Sequence, residues 1–123
     1  MQSTNKDAAI FDQNIIKQLE ESISKSSVPK FLHLFVEDSS LKQDEIEQAL
    51  FDSDFETLER INHTLASSAI TFGAVRLHNL CRAVEFNYKE GQYEQAAIAL
   101  KDLPSLIKVS NEAINTYLES NYK

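Results

Sequence analysis

The segment from residue 55 to residue 73 most constrains the fold, because its apolar residues recur along one face of an α-helix. At about 100° per residue, one stripe gathers around Leu65, and it contains Leu58, Ile61, Ala69 and Phe72. Gly73 follows this pattern and is the residue type that most readily ends a helix in a left-handed conformation. The pattern predicts a helix that is buried along one side and stops at Gly73.

His63 lies on the opposite side of this predicted helix, about 160° from the centre of the apolar stripe. Two charged residues precede it by one turn, and two small residues follow it by one turn. A single imidazole with small neighbours is a nucleophile that a partner protein can reach. The residues predicted to form the docking surface around it are Glu59, Arg60, Ala66, Ser67 and Ile70.

Breaks in the helical pattern predict the other elements. Asp12 is a candidate N-cap for a short first helix, and Pro29 suits the first turn of a second helix. A fourth helix follows Gly73 directly and ends at Gly91, and Pro104 should kink or split the last helix. We predict an all-α fold, an antiparallel up-and-down four-helix bundle with an extra short N-terminal helix. Residues 1–9 are predicted to be a flexible tail, and residues 10–123 a single domain.

Composition excludes several classes of function. The net charge of −7 argues against a nucleic-acid-binding protein, which normally presents a basic face. No apolar run approaches the length of a membrane span, and the N-terminus lacks the pattern of a signal peptide. The single Cys81 cannot form an internal disulfide, which favours a reducing compartment. We therefore predict a cytoplasmic protein.

Metal and nucleotide chemistry lack their usual sequence patterns. Two Glu-x-x-His motifs from facing helices would indicate a di-iron bundle, and Cys and His pairs would indicate zinc, but neither occurs. Both glycines are predicted to end helices, so no glycine-rich phosphate loop remains. We predict no metal or cofactor in this chain, no ATP site and no kinase activity. Cys81 is expected near the core, and His33 and His78 are expected to be structural or solvated.

A longer motif surrounds the exposed histidine. It consists of His63-Thr64-Leu65-Ala66-Ser67-Ser68, then Gly73-Ala74, Leu77, Cys81 and Glu85. This motif resembles that of the histidine phosphotransfer (HPt) domain, and the resemblance covers about residues 12–118. The layout is most similar to the stand-alone members that serve bacterial quorum-sensing relays.

The resemblance implies a role in a two-component phosphorelay. His63 would accept a phosphoryl group from an aspartate of one receiver domain, that of a hybrid sensor histidine kinase. It would then pass the group to an aspartate in the receiver domain of a response regulator. The receiver would bring the Mg²⁺ ion and a lysine, and this chain would act as a monomer that supplies the histidine and a docking surface.

The motif departs from the family at two positions. The family has lysine three residues after the histidine and glycine four residues after it, where this chain has Ala66 and Ser67. By the resemblance, Arg60 and Lys89 are the candidates to support the phosphoryl group in place of that lysine. The alternative function is a non-catalytic HPt-like adaptor that binds receiver domains with little or no phosphotransfer.

Overall fold

The computed structural model describes residues 8–122, which contain six α-helices and no strand. The helices are α1 (Gln13–Ile23), α2 (Val28–Phe51), α3 (Phe55–Thr71), α4 (Val75–Lys89), α5 (Tyr93–Leu100) and α6 (Leu103–Asn121). The predicted all-α class is confirmed.

Four of these helices form the bundle. Helices α2, α3, α4 and α6 each contact the next around the ring, α1 packs on α2, and the short α5 packs mainly on α4. The apolar stripe predicted for α3 is buried except for Phe72, which is partly exposed. The largest fully buried side chains come from every helix except α5, and they include Ile16, Leu32, Leu58, Leu65, Leu77, Leu103 and Ile114. The predicted four-helix bundle with an extra N-terminal helix is confirmed.

Helix boundaries follow the local sequence. The carboxylates of Asp12 and Asp54 accept hydrogen bonds from the first turns of α1 and α3, as N-caps do. Pro29 and Pro104 lie in the first turns of α2 and α6, where a missing N–H costs no helical hydrogen bond. The predicted last helix is therefore split into α5 and α6 rather than kinked.

A tight turn at Gly73 joins α3 to α4. Gly73 has a φ of +84°, and a Cβ atom built there would lie 2.8 Å from the carbonyl oxygen of Asp12. The Asp12 N–H in turn donates a 2.8 Å hydrogen bond to the carbonyl oxygen of Gly73. Glycine is needed here for both its conformation and its lack of a side chain, and the contact anchors the start of α1 to the hairpin.

Part of the predicted N-terminal tail lies outside the described residues, namely residues 1–7. Ala8 and Ala9 are described, and their carbonyl oxygens accept hydrogen bonds from the side chain and the backbone of Arg76. None of the six helices, within residues 8–122, combines the length and the apolarity that a membrane span requires.

Candidate functional site

His63 projects from the outer side of α3. Its side chain is 58% exposed, whereas Leu65 two residues later is fully buried. This contrast follows from the helical phase, because the two residues lie on nearly opposite sides of one helix. The predicted exposure of His63 is therefore confirmed.

Glu85 of α4 orients the imidazole. Its Oε2 atom lies 2.7 Å from Nδ1 of His63. A carboxylate can only accept a hydrogen bond, so the ring hydrogen of a neutral imidazole is held on Nδ1. Within residues 8–122, Nε2 has no hydrogen-bond partner. The tautomer selected by Glu85 therefore leaves the Nε2 lone pair free to act as a nucleophile.

Two cations flank the same carboxylate. Nη1 of Arg82 lies 2.9 Å from Oε1 of Glu85 and 3.2 Å from Nδ1 of His63. Nζ of Lys89 lies 3.6 Å from Oε2 of Glu85. The three α4 residues occupy one face of that helix because they are spaced three and four positions apart. The site is thus a charged cluster that one face of α4 presents to the edge of α3.

The surroundings of Glu85 favour its ionised form. Its side chain is only 9% exposed, and burial by itself would raise the pKa of this carboxyl group. The hydrogen bonds from Arg82 and His63 outweigh that effect and hold the pKa of Glu85 below its usual value. Glu85 is therefore a carboxylate at neutral pH, which is the form that accepts the hydrogen of Nδ1.

The structure corrects the prediction that Ala66 is exposed and available for docking. Ala66 is fully buried, and its carbonyl oxygen lies 2.8 Å from Nδ1 of His78 on α4. Position 66 thus lies on the side of α3 that packs against α4. The helical phase predicted only the side of α3 that carries the apolar stripe as buried. In the structure α4 covers a second side of α3, and Ala66 lies on that side.

The other predicted docking residues remain at or near the surface. Ser67 and Arg60 are exposed, whereas Glu59 and Ile70 are partly exposed. The Ser67 hydroxyl donates to the carbonyl oxygen of His63 at 3.3 Å, which turns its side chain back along the helix. These four residues keep a place on the predicted docking surface, and their role there stays a prediction.

An open groove of about 390 Å³ runs beside the imidazole between α3 and α4. It is lined by Glu56, Glu59, Arg60, His63, Glu85 and Lys89. Lys89 therefore lines the groove and contacts Glu85, whereas Arg60 makes no hydrogen bond or ion pair with His63 or Glu85 among the described residues. Of the two predicted supporting cations, only Lys89 contacts the cluster.

The remaining candidate groups belong to the interior. Cys81 is fully buried, and burial raises the pKa of its thiol to about 12, so it is unsuited to nucleophilic chemistry. Its predicted place near the core is confirmed. Residues 8–122 contain no cluster of His, Cys, Asp and Glu side chains that could hold a metal ion.

Sequence reasoning missed the roles of Glu85 and Arg82. Residues 63 and 85 each lie eleven positions from Ala74, which follows the turn between the helices. Because α-helices share one rise per residue, equidistant positions in an antiparallel hairpin lie at the same level. That spacing was the available signal, and it would have directed attention to the charged face of α4.

Comparisons with known proteins identify the family of the chain. A family model described as the Hpt domain matches residues 30–116. Phosphorelay protein LuxU of Vibrio harveyi is 23% identical over 108 residues, which cover 88% of this chain and 95% of the relative. Pseudo histidine-containing phosphotransfer protein 2 of Oryza sativa subsp. japonica is 25% identical over 119 residues, which cover 89% of this chain and 79% of that protein.

A solved structure shares the fold. The crystal structure of histidine-containing phosphotransfer protein B (HptB) from Pseudomonas aeruginosa PAO1 matches with a TM-score of 0.85 at 21% identity, covering 94% of this chain and 99% of that one. At 21% identity this match establishes the fold alone, whereas the family model establishes membership of the family. The chain belongs to the Hpt domain family, the histidine phosphotransfer modules of two-component signalling.

Proposed function

We propose that this chain is a phosphorelay intermediate that carries a phosphoryl group on Nε2 of His63. The observation that carries the proposal is the hydrogen bond between Nδ1 of His63 and Glu85, on a side chain that is 58% exposed. It holds an accessible imidazole in the tautomer whose free lone pair is on Nε2. The same arrangement would have little purpose in a histidine that is only solvated.

The donor is the phosphorylated aspartate of one receiver domain, and the acceptor is an aspartate of another. In the first transfer the Nε2 lone pair forms a bond to phosphorus, while the bond between phosphorus and the aspartate oxygen breaks. The aspartate leaves as a carboxylate with the electron pair of that bond. Nδ1 keeps its hydrogen, and the negative charge of Glu85 opposes the positive charge that the ring acquires.

The second transfer reverses these steps toward the acceptor aspartate, and no proton needs to be exchanged with solvent. Phosphoryl transfer depends mainly on in-line positioning and on neutralisation of charge. The receiver domain supplies Mg²⁺ and a lysine in this proposal, and this chain supplies the oriented imidazole. Hpt proteins are phosphotransfer intermediates rather than enzymes in the usual sense, and we expect no autonomous kinase activity here.

The proposed docking surface is the exposed side of α3 around His63, with the adjoining face of α4. Its α3 members are Glu59, Arg60, Ser67 and Ile70, and Ala66 is excluded by its burial. Charged residues at the edge of such a surface adjust the rate of association more than the final affinity. We propose receiver domains of a hybrid sensor kinase and of a response regulator as the partners.

A receiver-binding adaptor without efficient transfer is the second candidate. Its support is Ala66, which places no cation beside the imidazole where the family motif has lysine. One of the relatives is named as a pseudo histidine-containing phosphotransfer protein, and that name fits the second candidate. The oriented His63–Glu85 pair favours the relay over the adaptor.

The proposal includes the location, the oligomeric state and the type of relay. A cytoplasmic location and a monomeric state suit a transient carrier between receiver domains, whose interfaces are small. We also propose a place in a quorum-sensing relay, and the support for it is the similarity to phosphorelay protein LuxU.

The test is a transfer assay with a panel of phosphorylated receiver domains and Mg²⁺. We expect an acid-labile, alkali-stable label on the wild-type chain, unchanged in His78→Gln and absent in His63→Gln. His78 is the matched control because its Nδ1 atom contacts the Ala66 carbonyl oxygen rather than the cluster. Binding of each variant to the same receivers is measured in parallel. Binding without label on the wild-type chain would contradict the relay and support the adaptor.

A further inference from the structure

Arg82 contacts both the imidazole of His63 and the carboxylate of Glu85. Its Nη1 atom lies 2.9 Å from Oε1 of Glu85 and 3.2 Å from Nδ1 of His63. The hydrogen on Nδ1 is already donated to Glu85, so the contact between Arg82 and the ring is not a hydrogen bond. The contact instead holds a positive charge against the edge of the ring.

The charges of the cluster do not balance while His63 is neutral. Arg82 and Lys89 carry two positive charges, and Glu85 carries one negative charge. Glu85 also accepts the hydrogen of Nδ1, so one cation would suffice to pair it. The side chains in direct contact thus carry one net positive charge beside an accessible nucleophile. The other charged residues of the groove, Glu56, Glu59 and Arg60, form no ion pair with them among the described residues.

Phosphorylation would remove this imbalance. A phosphoryl group brings about two negative charges at neutral pH, and the ring gains one positive charge when Nε2 is phosphorylated. The cluster of Arg82, Lys89, Glu85 and phosphorylated His63 would then be close to neutral. Without Arg82 it would carry a net negative charge around the phosphoryl oxygens.

Arg82 keeps hydrogen-bond donors that its contact with Glu85 does not use. Its side chain is 42% exposed, and a guanidinium has five N–H donors in a planar fork. Its bond to Oε1 of Glu85 uses one Nη1 donor, which leaves donors for a second acceptor. The cationic side chain that α3 contributes to the groove is Arg60, which makes no hydrogen bond or ion pair with His63 among the described residues.

We propose that Arg82 is a phosphoryl-binding residue of this chain beside Lys89, and that its guanidinium donates to the phosphoryl oxygens on His63 while it keeps its contact with Glu85. This inference rests on the proposed function, since it concerns the phosphorylated form of the same histidine. The phosphoryl acceptor site is therefore assembled from two helices, with the nucleophile on α3 and the cation on α4.

The first measurement requires no partner protein. The full-length, ¹⁵N-labelled chain is phosphorylated with phosphoramidate, and the Nε–H signals of its arginine side chains are compared before and after. We expect a downfield shift of the Arg82 signal, little change in the Arg60 signal, and no shift of either in His63→Gln. An Arg82 signal that stays in place when His63 is phosphorylated would overturn the inference.

The second measurement is the equilibrium of label between a phosphorylated receiver and this chain. We expect Arg82→Gln to move it toward the receiver by about tenfold, the range of one charge-assisted hydrogen bond. Arg82→Lys should retain most of the wild-type value, and Lys108→Gln is the control, expected to change it less than about twofold, because Lys108 is an exposed cation of α6 outside the groove. An equilibrium unchanged in Arg82→Gln would overturn the inference.

A purely structural role of Arg82, acting through Glu85, predicts a different result. If Arg82 acted only by holding Glu85 in place, Arg82→Gln would change the imidazole ¹⁵N shifts of unphosphorylated His63, which report its tautomer. We expect these shifts to stay at wild-type values. Failure of every receiver to label the wild-type chain would contradict the proposed function alone. The phosphoramidate measurement would still decide the role of Arg82.

Discussion

Two polar clusters bridge pairs of helices in this bundle, and they differ in charge and in exposure. One joins α3 to α4 through His63, Glu85 and Arg82, with its histidine 58% exposed. The other joins α2 to α6 through Ser39 and Asn111, and both of these side chains are buried. Each cluster ties one helix of the bundle to another, so either could be a purely structural contact.

The α2–α6 cluster is neutral and satisfied within itself. The Ser39 hydroxyl donates to the carbonyl oxygen of Val36 at 3.0 Å, and Nδ2 of Asn111 donates to the Ser39 hydroxyl oxygen at 3.0 Å. Such a buried network stabilises one alignment of the helices, because losing a partner would leave a polar group without hydrogen bonds. It presents no free nucleophile and no surplus charge.

The α3–α4 cluster contains one ring nitrogen without a hydrogen-bond partner and more cations than carboxylates. Nε2 of His63 has no partner within residues 8–122, and two cations face one carboxylate. A group that only stabilised the bundle would gain nothing from either feature. The two clusters therefore differ in two features, namely an exposed nitrogen without a hydrogen-bond partner and an excess of cations. Polar contact between helices is common to both.

The largest expected effect concerns Glu85. Glu85→Gln removes the negative charge that opposes the phosphorylated ring, and we expect the rate of transfer to His63 to fall about 10- to 100-fold, the range seen when a group that orients a metal-binding histidine is removed. Rapid-quench measurements with a phosphorylated receiver give the rate. A rate within twofold of wild type would show that the carboxylate only ties α3 to α4.

Asn111→Ala should lower stability without changing the rate of transfer. It removes the buried partner of Ser39, and we expect the free energy of unfolding to fall by about 1–3 kcal/mol with the transfer rate unchanged. Urea denaturation followed by circular dichroism measures the first quantity. Ser39→Ala is the paired variant, and an altered transfer rate in either variant would show that the two clusters are coupled.

The smallest expected effect is a difference in pH dependence. The folded-state pKa of Glu85 is lowered, so its contribution to stability is present above its unfolded pKa of about 4.3 and is lost as the pH falls through the folded value. The stability difference between wild type and Glu85→Gln should therefore shrink on acidification below about pH 4. The difference between wild type and Asn111→Ala should not follow this trend, because Asn111 does not titrate. Urea denaturation between pH 7 and pH 3 compares the two, and parallel curves would contradict the ionised state of Glu85.

Much of the fold was predictable from local sequence. The caps at Asp12 and Asp54, the turn at Gly73 and the division of the last helix near Pro104 depend on neighbouring residues alone. The exposure of His63 was predictable as well, since it follows from the phase of a single helix. The burial of Ala66 was not, because it depends on which side of α3 a second helix covers.

The helices, their ends and the exposed histidine were predictable from local sequence, because hydrogen bonding within a helix and the period of its side chains are local properties. The contacts of Glu85 and Arg82 with His63 come from the packing of two helices against each other. These contacts depend on the level and the rotation of α4 against α3. Helix packing determines both quantities, and no single helix contains them.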